Sequence, residues 1–171
     1  SDISNIGKAL DDGWVITFPQ GTDGTIFLLR HNGRCTVGES RNALVAGGSG
    51  GIGEGIVKAL IGAGYRVYVP TRPNDKSERL KAFVENSNQL ALVAADLCNA
   101  SDVESLRQTI EGDEGQLDAV IVSVGSRYFG HRLHRMPRSD WDRSIQDNLS
   151  THFNLQHEFV DLLRRQDSGV Y

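Results

Sequence analysis

The chain has 171 residues, 39% of them hydrophobic and 23% charged, and a formal net charge of -4. This is the composition of one soluble globular domain, without the basic footprint that nucleic acid or an anionic membrane surface would require. No apolar run approaches a bilayer span, the opening SDISNIGKAL lacks the regions of a secretory signal, and Cys35 and Cys98 lie far apart with no CxxC spacing, which together read as a reducing, cytoplasmic compartment.

Two textures divide the sequence at residue 40. Residues 1–40 carry short β-prone runs, WVITF and TIFLLRH, separated by PQGTDG, and Asn32-Gly33 then precedes RCTV. Asn-Gly between β-prone runs is a strong hairpin signal because both residues tolerate positive φ. A small antiparallel appendage or arm is expected, with no evident catalytic set. GWVITFPQGTDG also loosely resembles the FPEGT block of glycerolipid acyltransferases, but Gln20 stands in place of the glutamate and no HxxxxD motif accompanies it.

From residue 41 to 171 strands and helices alternate. ALVA (43–46) reads as a buried strand, followed by a helix with Ile52, Ile56, Ala59, Leu60 and Ala63 as its apolar face. YRVYVP (65–70) is a second strand, followed by a short helix over 76–86, and LALVAAD (90–96) is a third. Ser101 and Glu104 have the spacing of a capping box that opens the next helix. LDAVIVSV (117–124) is the fourth strand. A long helix follows, with Trp141, Ile145, Leu149 and Phe153 at four-residue spacing, then Phe159, Val160 and Leu163. The closing GVY looks like the start of a fifth strand. Apolar strands alternating with amphipathic helices predict right-handed βαβ units: a doubly wound parallel sheet in a three-layer α/β (Rossmann) domain.

The stretch AGGSGGIG (46–53) falls between the first of these strands and the helix after it. Glycines there permit a tight turn and close backbone approach, while the helix N-terminus presents free N–H groups and partial positive charge to a phosphate. Gly47, Ser49, Gly51, Ile52 and Gly53 are therefore candidate residues for the pyrophosphate of a dinucleotide. A side chain at Gly47 or Gly53 is expected to occupy the pyrophosphate's space.

Gly47, three residues and then Gly51-Ile52-Gly53 resemble the TGxxxGIG turn of the short-chain dehydrogenase/reductase family, with Ala46 at its threonine. Asp96-Leu97 is similar to the family's adenine-contacting station, and Asn148-Leu149 to its helix asparagine. The resemblance gives Asn148 a catalytic role, kinking the helix and holding a water of the proton relay. The family's NNAG is replaced by Val122-Ser123-Val124-Gly125, which keeps Gly125 for close approach to the cofactor but removes both asparagines. At the end of the second strand Thr71 takes the place of the acidic residue that selects NAD(H), and Arg72 follows it, so NADP(H) is favoured over NAD(H).

The resemblance implies hydride transfer to or from a small carbonyl or alcohol substrate, with a homo-oligomer formed through helices that include the long one. The family's Tyr/Lys pair is not found, because no YxxxK occurs and Tyr171 has no lysine four residues on. What is present looks like the cofactor-binding half of such an oxidoreductase, and a non-catalytic dinucleotide-binding sensor or partner module is the alternative. His131, His134, His152 and His157 have no acidic or cysteine partner at ligand spacing, so no metal site is assigned. Tyr128 and His131 are candidates for a substrate pocket, with Ser123 as a further polar group nearby.

Overall fold

The computed structural model describes residues 14–16, 27–29, 41–73, 77–126, 132–165 and 169–171. In the N-terminal part, β1 (Trp14–Ile16) and β2 (Phe27–Leu29) pair antiparallel as a two-stranded sheet, with Val15 opposite Leu28. The Asn32-Gly33 turn and the FPQGT block lie outside the described residues.

The strands and helices from residue 41 onward follow in the expected order. They are β3 (Arg41–Ala46), α1 (Gly51–Gly62), β4 (Tyr65–Thr71), α2 (Ser77–Phe83), β5 (Leu90–Ala94), α3 (Ala100–Glu114) and β6 (Ala119–Val122). A single turn of 3₁₀ helix at Leu133–Arg135 leads into α4 (Arg138–Ile145), a π turn over Gln146–Ser150, and α5 (Thr151–Arg164). The second sheet is all parallel in the order β5-β4-β3-β6. The chain winds outward from β3 through β4 to β5, then crosses back to place β6 on the other side of β3. Val170 bridges Ala119 in parallel, donating to the Asp118 carbonyl at 3.0 Å and accepting from Val120 N–H at 2.8 Å. This is the first contact of the expected fifth strand.

Strand periodicity sorts the core into two layers. Leu44, Ala46 and Tyr68 face one way and pack with Leu106 and Ile110 of α3 and Leu155 and Phe159 of α5. Ala43, Val45, Val67 and Val69 face the other way, against Ile56, Val57 and Leu60 of α1 and Leu80 of α2. Helices therefore cover both faces of a parallel sheet, the doubly wound α/β architecture. Buried Glu54 ties α1 to α2 through Arg79, at 2.8 Å. Among the described residues no helix is long and apolar enough to cross a membrane.

Three local expectations are corrected. The cap of α3 is Asn99 rather than Ser101: its Oδ1 accepts from Ser101 N at 3.1 Å and Ser101 Oγ at 2.8 Å. The turn that follows Asp96, closed by Asn99 N–H on the Asp96 carbonyl at 2.9 Å, delivers Asn99 to the helix start first. On α1, Ile52 is 63% exposed and Ala59 is exposed, while Gly53 and Val57 complete the buried face. On the long helix the stripe of Trp141, Ile145, Leu149 and Phe153 is exposed at 44, 37, 61 and 65%. The core contacts come instead from Thr151, Leu155, Phe159, Leu162 and Leu163. Phe153 stands two residues from Leu155, about 200° around the same helix, so the stripe and the core face lie on opposite sides.

Candidate functional site: a cleft at the strand C-termini

The crossing point between β3 and β6 opens a cleft at the carboxyl ends of the strands, where open α/β sheets bind ligands. Its volume is about 260 Å³. Gly47, Ser49 and Gly50 form one wall, Ala95 through Cys98 a second, and Ser123 through Ser126 a third; Pro70, Arg72, Asp147 and Thr151 complete the lining.

The glycine turn is built by short-range hydrogen bonds, Gly48 N to Val45 O at 3.2 Å and Gly50 N to Gly47 O at 3.0 Å. Gly47 sits at φ +83, in the left-handed region, and a β-carbon there would lie 2.9 Å from the Ser123 backbone. At Gly53 a β-carbon would lie 2.0 Å from the Gly47 carbonyl oxygen. An obstruction at both positions is thus already present within the protein. These glycines are needed to close the turn itself, before any ligand enters. Gly50 caps α1 without a side-chain hydrogen bond, which leaves the N–H groups of the first turn for an anion.

Ser123 stands in the stretch where the family's asparagines are absent. Its N–H and Oγ both donate to the Ala46 carbonyl, at 2.9 and 3.1 Å, and fasten the end of β6 to the start of the glycine turn. Asn148 lies in the π turn, whose backbone widens to a bond from Thr151 N–H to Gln146 O. The Asn148 carboxamide grips the chain after Gly125. Its Oδ1 accepts from Ser126 N at 3.1 Å, and its Nδ2 donates to Ser126 O at 3.0 Å and Ser144 O at 2.9 Å. A β-carbon on Gly125 would lie 2.9 Å from Asn148 Oδ1, so glycine is required for this grip.

The sequence-derived residues thus separate into two groups. Gly47, Ser49, Arg72, Asp96, Leu97 and Gly125 line the cleft. Gly51, Ile52 and Gly53 form the first turn of α1 beside it, Thr71 ends β4 with its carbonyl accepting from Ala95 N at 3.0 Å, and Asn148 braces Ser126. Tyr128 and His131 lie outside the described residues. Cys98, Ser126, Asp147 and Thr151 were not singled out from the sequence. The only available signal was adjacency to Asp96, Gly125 and Asn148. Burial pushes the Cys98 thiol upward, and the charges of Asp96 and Asp147 act in the same direction. A hydrogen bond with Thr151 and the charge of Arg72 oppose them. Among the described residues no three His, Cys, Asp or Glu side chains gather as a metal-ligand set.

Residues 41–170 match the sequence profile of the short chain dehydrogenases. The chain belongs to the short-chain dehydrogenase/reductase family. Members of this family are oxidoreductases that bind NAD or NADP. This short-chain dehydrogenase is 32% identical over 133 residues to the rhamnolipids biosynthesis 3-oxoacyl-[acyl-carrier-protein] reductase of Pseudomonas aeruginosa, covering 75% of the chain and 50% of that protein. It is 33% identical over 130 residues to an acetoacetyl-CoA reductase of Rhizobium meliloti, covering 76% of the chain and 52% of the relative. Among solved structures, a metagenomic short-chain oxidoreductase in complex with NADP superposes with a TM-score of 0.70 at 26% identity, over 76% of this chain and 60% of that one. The Pseudomonas aeruginosa RhlG/NADP active-site complex gives 0.64 at 30% identity, over 73% and 48%. The chain spans about half the length of the curated relatives it matches.

Proposed function

We propose that this chain is the cofactor-binding part of an NADP(H)-dependent short-chain oxidoreductase acting on a small carbonyl or alcohol. The observation that carries this reading is the position of Arg72, which lines the cleft at the end of β4 with Thr71, not a carboxylate, before it. A carboxylate there would accept from the ribose 2′-OH and repel a 2′-phosphate, whereas a guanidinium pairs with the phosphate. The glycine turn and the uncapped start of α1 fit a pyrophosphate, and Asp96 and Leu97 fit the adenine end. When bound, the nicotinamide supplies or accepts the hydride.

Two of the similar proteins are named as reductases of 3-oxoacyl and acetoacetyl groups, and two superposed structures contain NADP. Thioesters of 3-oxo acids are therefore the first substrates to try. A cytoplasmic location is in keeping with the cysteine usage. A second reading is a dinucleotide-binding module without turnover.

Titration of the chain with NADPH and NADH, followed by nicotinamide fluorescence, tests the cofactor assignment. Arg72→Ala is expected to weaken NADPH by about 1.5–3 kcal/mol, the range of a charged hydrogen bond, and to leave NADH nearly unchanged. Equal losses for both would place Arg72 on a part the two cofactors share and overturn the NADP(H) assignment. Oxidation of NADPH by 3-oxoacyl thioesters, measured on the full-length gene product, separates the two readings.

A further inference from the structure

The π turn that carries Asn148 is closed by a single residue. The Thr151 N–H donates to the Gln146 carbonyl, and Thr151 Oγ1 donates to the same oxygen at 3.3 Å. In a regular helix a threonine hydroxyl bonds the carbonyl three or four positions back, whereas here it reaches five back.

Thr151 lines the cleft yet is only 2% exposed, and its hydroxyl meets a second group from outside the helix. Cys98 Sγ, in the loop after β5, lies 3.4 Å from Thr151 Oγ1 and 3.8 Å from the Gln146 carbonyl oxygen. Asn154 of α5 seats that loop, donating from Nδ2 to the Leu97 carbonyl at 3.1 Å. With the thiol donating to Oγ1 and the hydroxyl to the carbonyl, each proton has an acceptor and the Gln146 oxygen receives two bonds.

We propose that Thr151 is a positioning residue for Asn148: its hydroxyl, with the Cys98 thiol behind it, holds the turn in the pitch from which the Asn148 carboxamide reaches Ser126. Asn148 lies between the two residues that close the turn, and its Oδ1 accepts from Ser126 N at 3.1 Å. Without the hydroxyl, the Gln146 carbonyl keeps the backbone bond alone, and the five-residue turn competes with the ordinary four-residue one. The consequence for turnover rests on the oxidoreductase reading above, in which Asn148 holds a water of the proton relay. The consequence for the Ser126 contact does not.

Thr151→Val removes the hydroxyl and keeps the branching, and Thr151→Ser keeps the hydroxyl. Hydrogen exchange at the Ser126 N–H reads the grip of Asn148 directly. Thr151→Val is expected to speed that exchange about five- to tenfold, as the loss of one neutral hydrogen bond would, and to leave the α3 amides unchanged. Thr151→Ser is expected to restore most of the protection, and Cys98→Val to act in the same direction as Thr151→Val by a smaller factor. In a double-mutant cycle with Asn148→Ala, Thr151→Val is expected to add nothing at the Ser126 N–H, because both act through one contact. Equal exchange in wild type and Thr151→Val, or additive effects in the cycle, would show that Thr151 only packs the helix and would overturn the proposal. In the full-length gene product, Thr151→Val is expected to lower kcat for NADPH oxidation by 3-oxoacyl thioesters about tenfold, a part of what proton transfer is worth, with KM nearly unchanged. A loss confined to KM would overturn the link to Asn148. If the full-length product oxidises no NADPH, the substrate reading falls, and the exchange cycle decides the proposal by itself.

Discussion

A β-carbon at position 53 would come within 2.0 Å of the Gly47 carbonyl oxygen, whereas one at position 51 would meet nothing within 4 Å. Two glycines of the same turn, two residues apart, thus have different physical reasons to be glycine. Gly53 permits contact between α1 and the turn backbone, which cannot yield without breaking the Gly50 N–H bond to Gly47 O. Gly51 is not sterically required by the protein itself. Gly53→Val is therefore expected to cost about 3 kcal/mol, the upper end of overpacking, and to abolish dinucleotide binding. Gly51→Ala is expected to keep the wild-type urea midpoint. Urea denaturation of both variants tests this, and equal destabilisation would show that the turn, rather than the carbonyl contact, sets the requirement.

The element that shapes the cleft most is the π turn between α4 and α5. After the widened turn Leu155, Phe159 and Leu163 meet the core, and Asp147 and Thr151 line the cleft. Asn148 anchors it through three side-chain hydrogen bonds to Ser126 and Ser144. The family's asparagine was thus recognisable from sequence by its station, but its partners were not, because Ser126 is 22 residues away in the chain. Asn148→Ala is expected to lower stability by about 1–2 kcal/mol, since each exposed bond contributes modestly. It should also raise hydrogen exchange at the Ser126 N–H more than at the α3 amides. Uniform exchange would mean that the carboxamide does not brace the loop.

At the scale of the molecule, the unpaired feature is the outward stripe of Trp141, Ile145, Leu149 and Phe153. Four large apolar side chains on one exposed helical face mark an interaction surface. A second copy is the occupant that the family resemblance implies, with the stripe meeting its own counterpart about a two-fold axis. Leu149→Arg alters no core contact, so its melting temperature should stay within a few degrees of wild type. Sedimentation over a range of concentrations should then show the variant one assembly step smaller than the wild-type chain. Identical sedimentation of the two proteins would assign the stripe another role.

Local chemistry was enough to establish the alternation of strands and helices, the location of the glycine turn and the resemblance to the short-chain dehydrogenase/reductase family. Period-two and helical patterns, and the φ freedom of glycine, act within a few residues of one another. Three-dimensional packing decided the rest. Asn99 displaced Ser101 as the cap because the turn after β5 delivers it there first. Ser123 bonded the Ala46 carbonyl because β6 ends beside Ala46, 77 positions earlier in the chain. The apolar stripe faced outward because Leu155, Phe159 and Leu163, on the opposite side of the helix from Phe153, met the sheet. Asp147 and Asp96 came to line one cleft because the π turn packs beside Cys98, and no spacing along the chain records a proximity made only when the sheet closes.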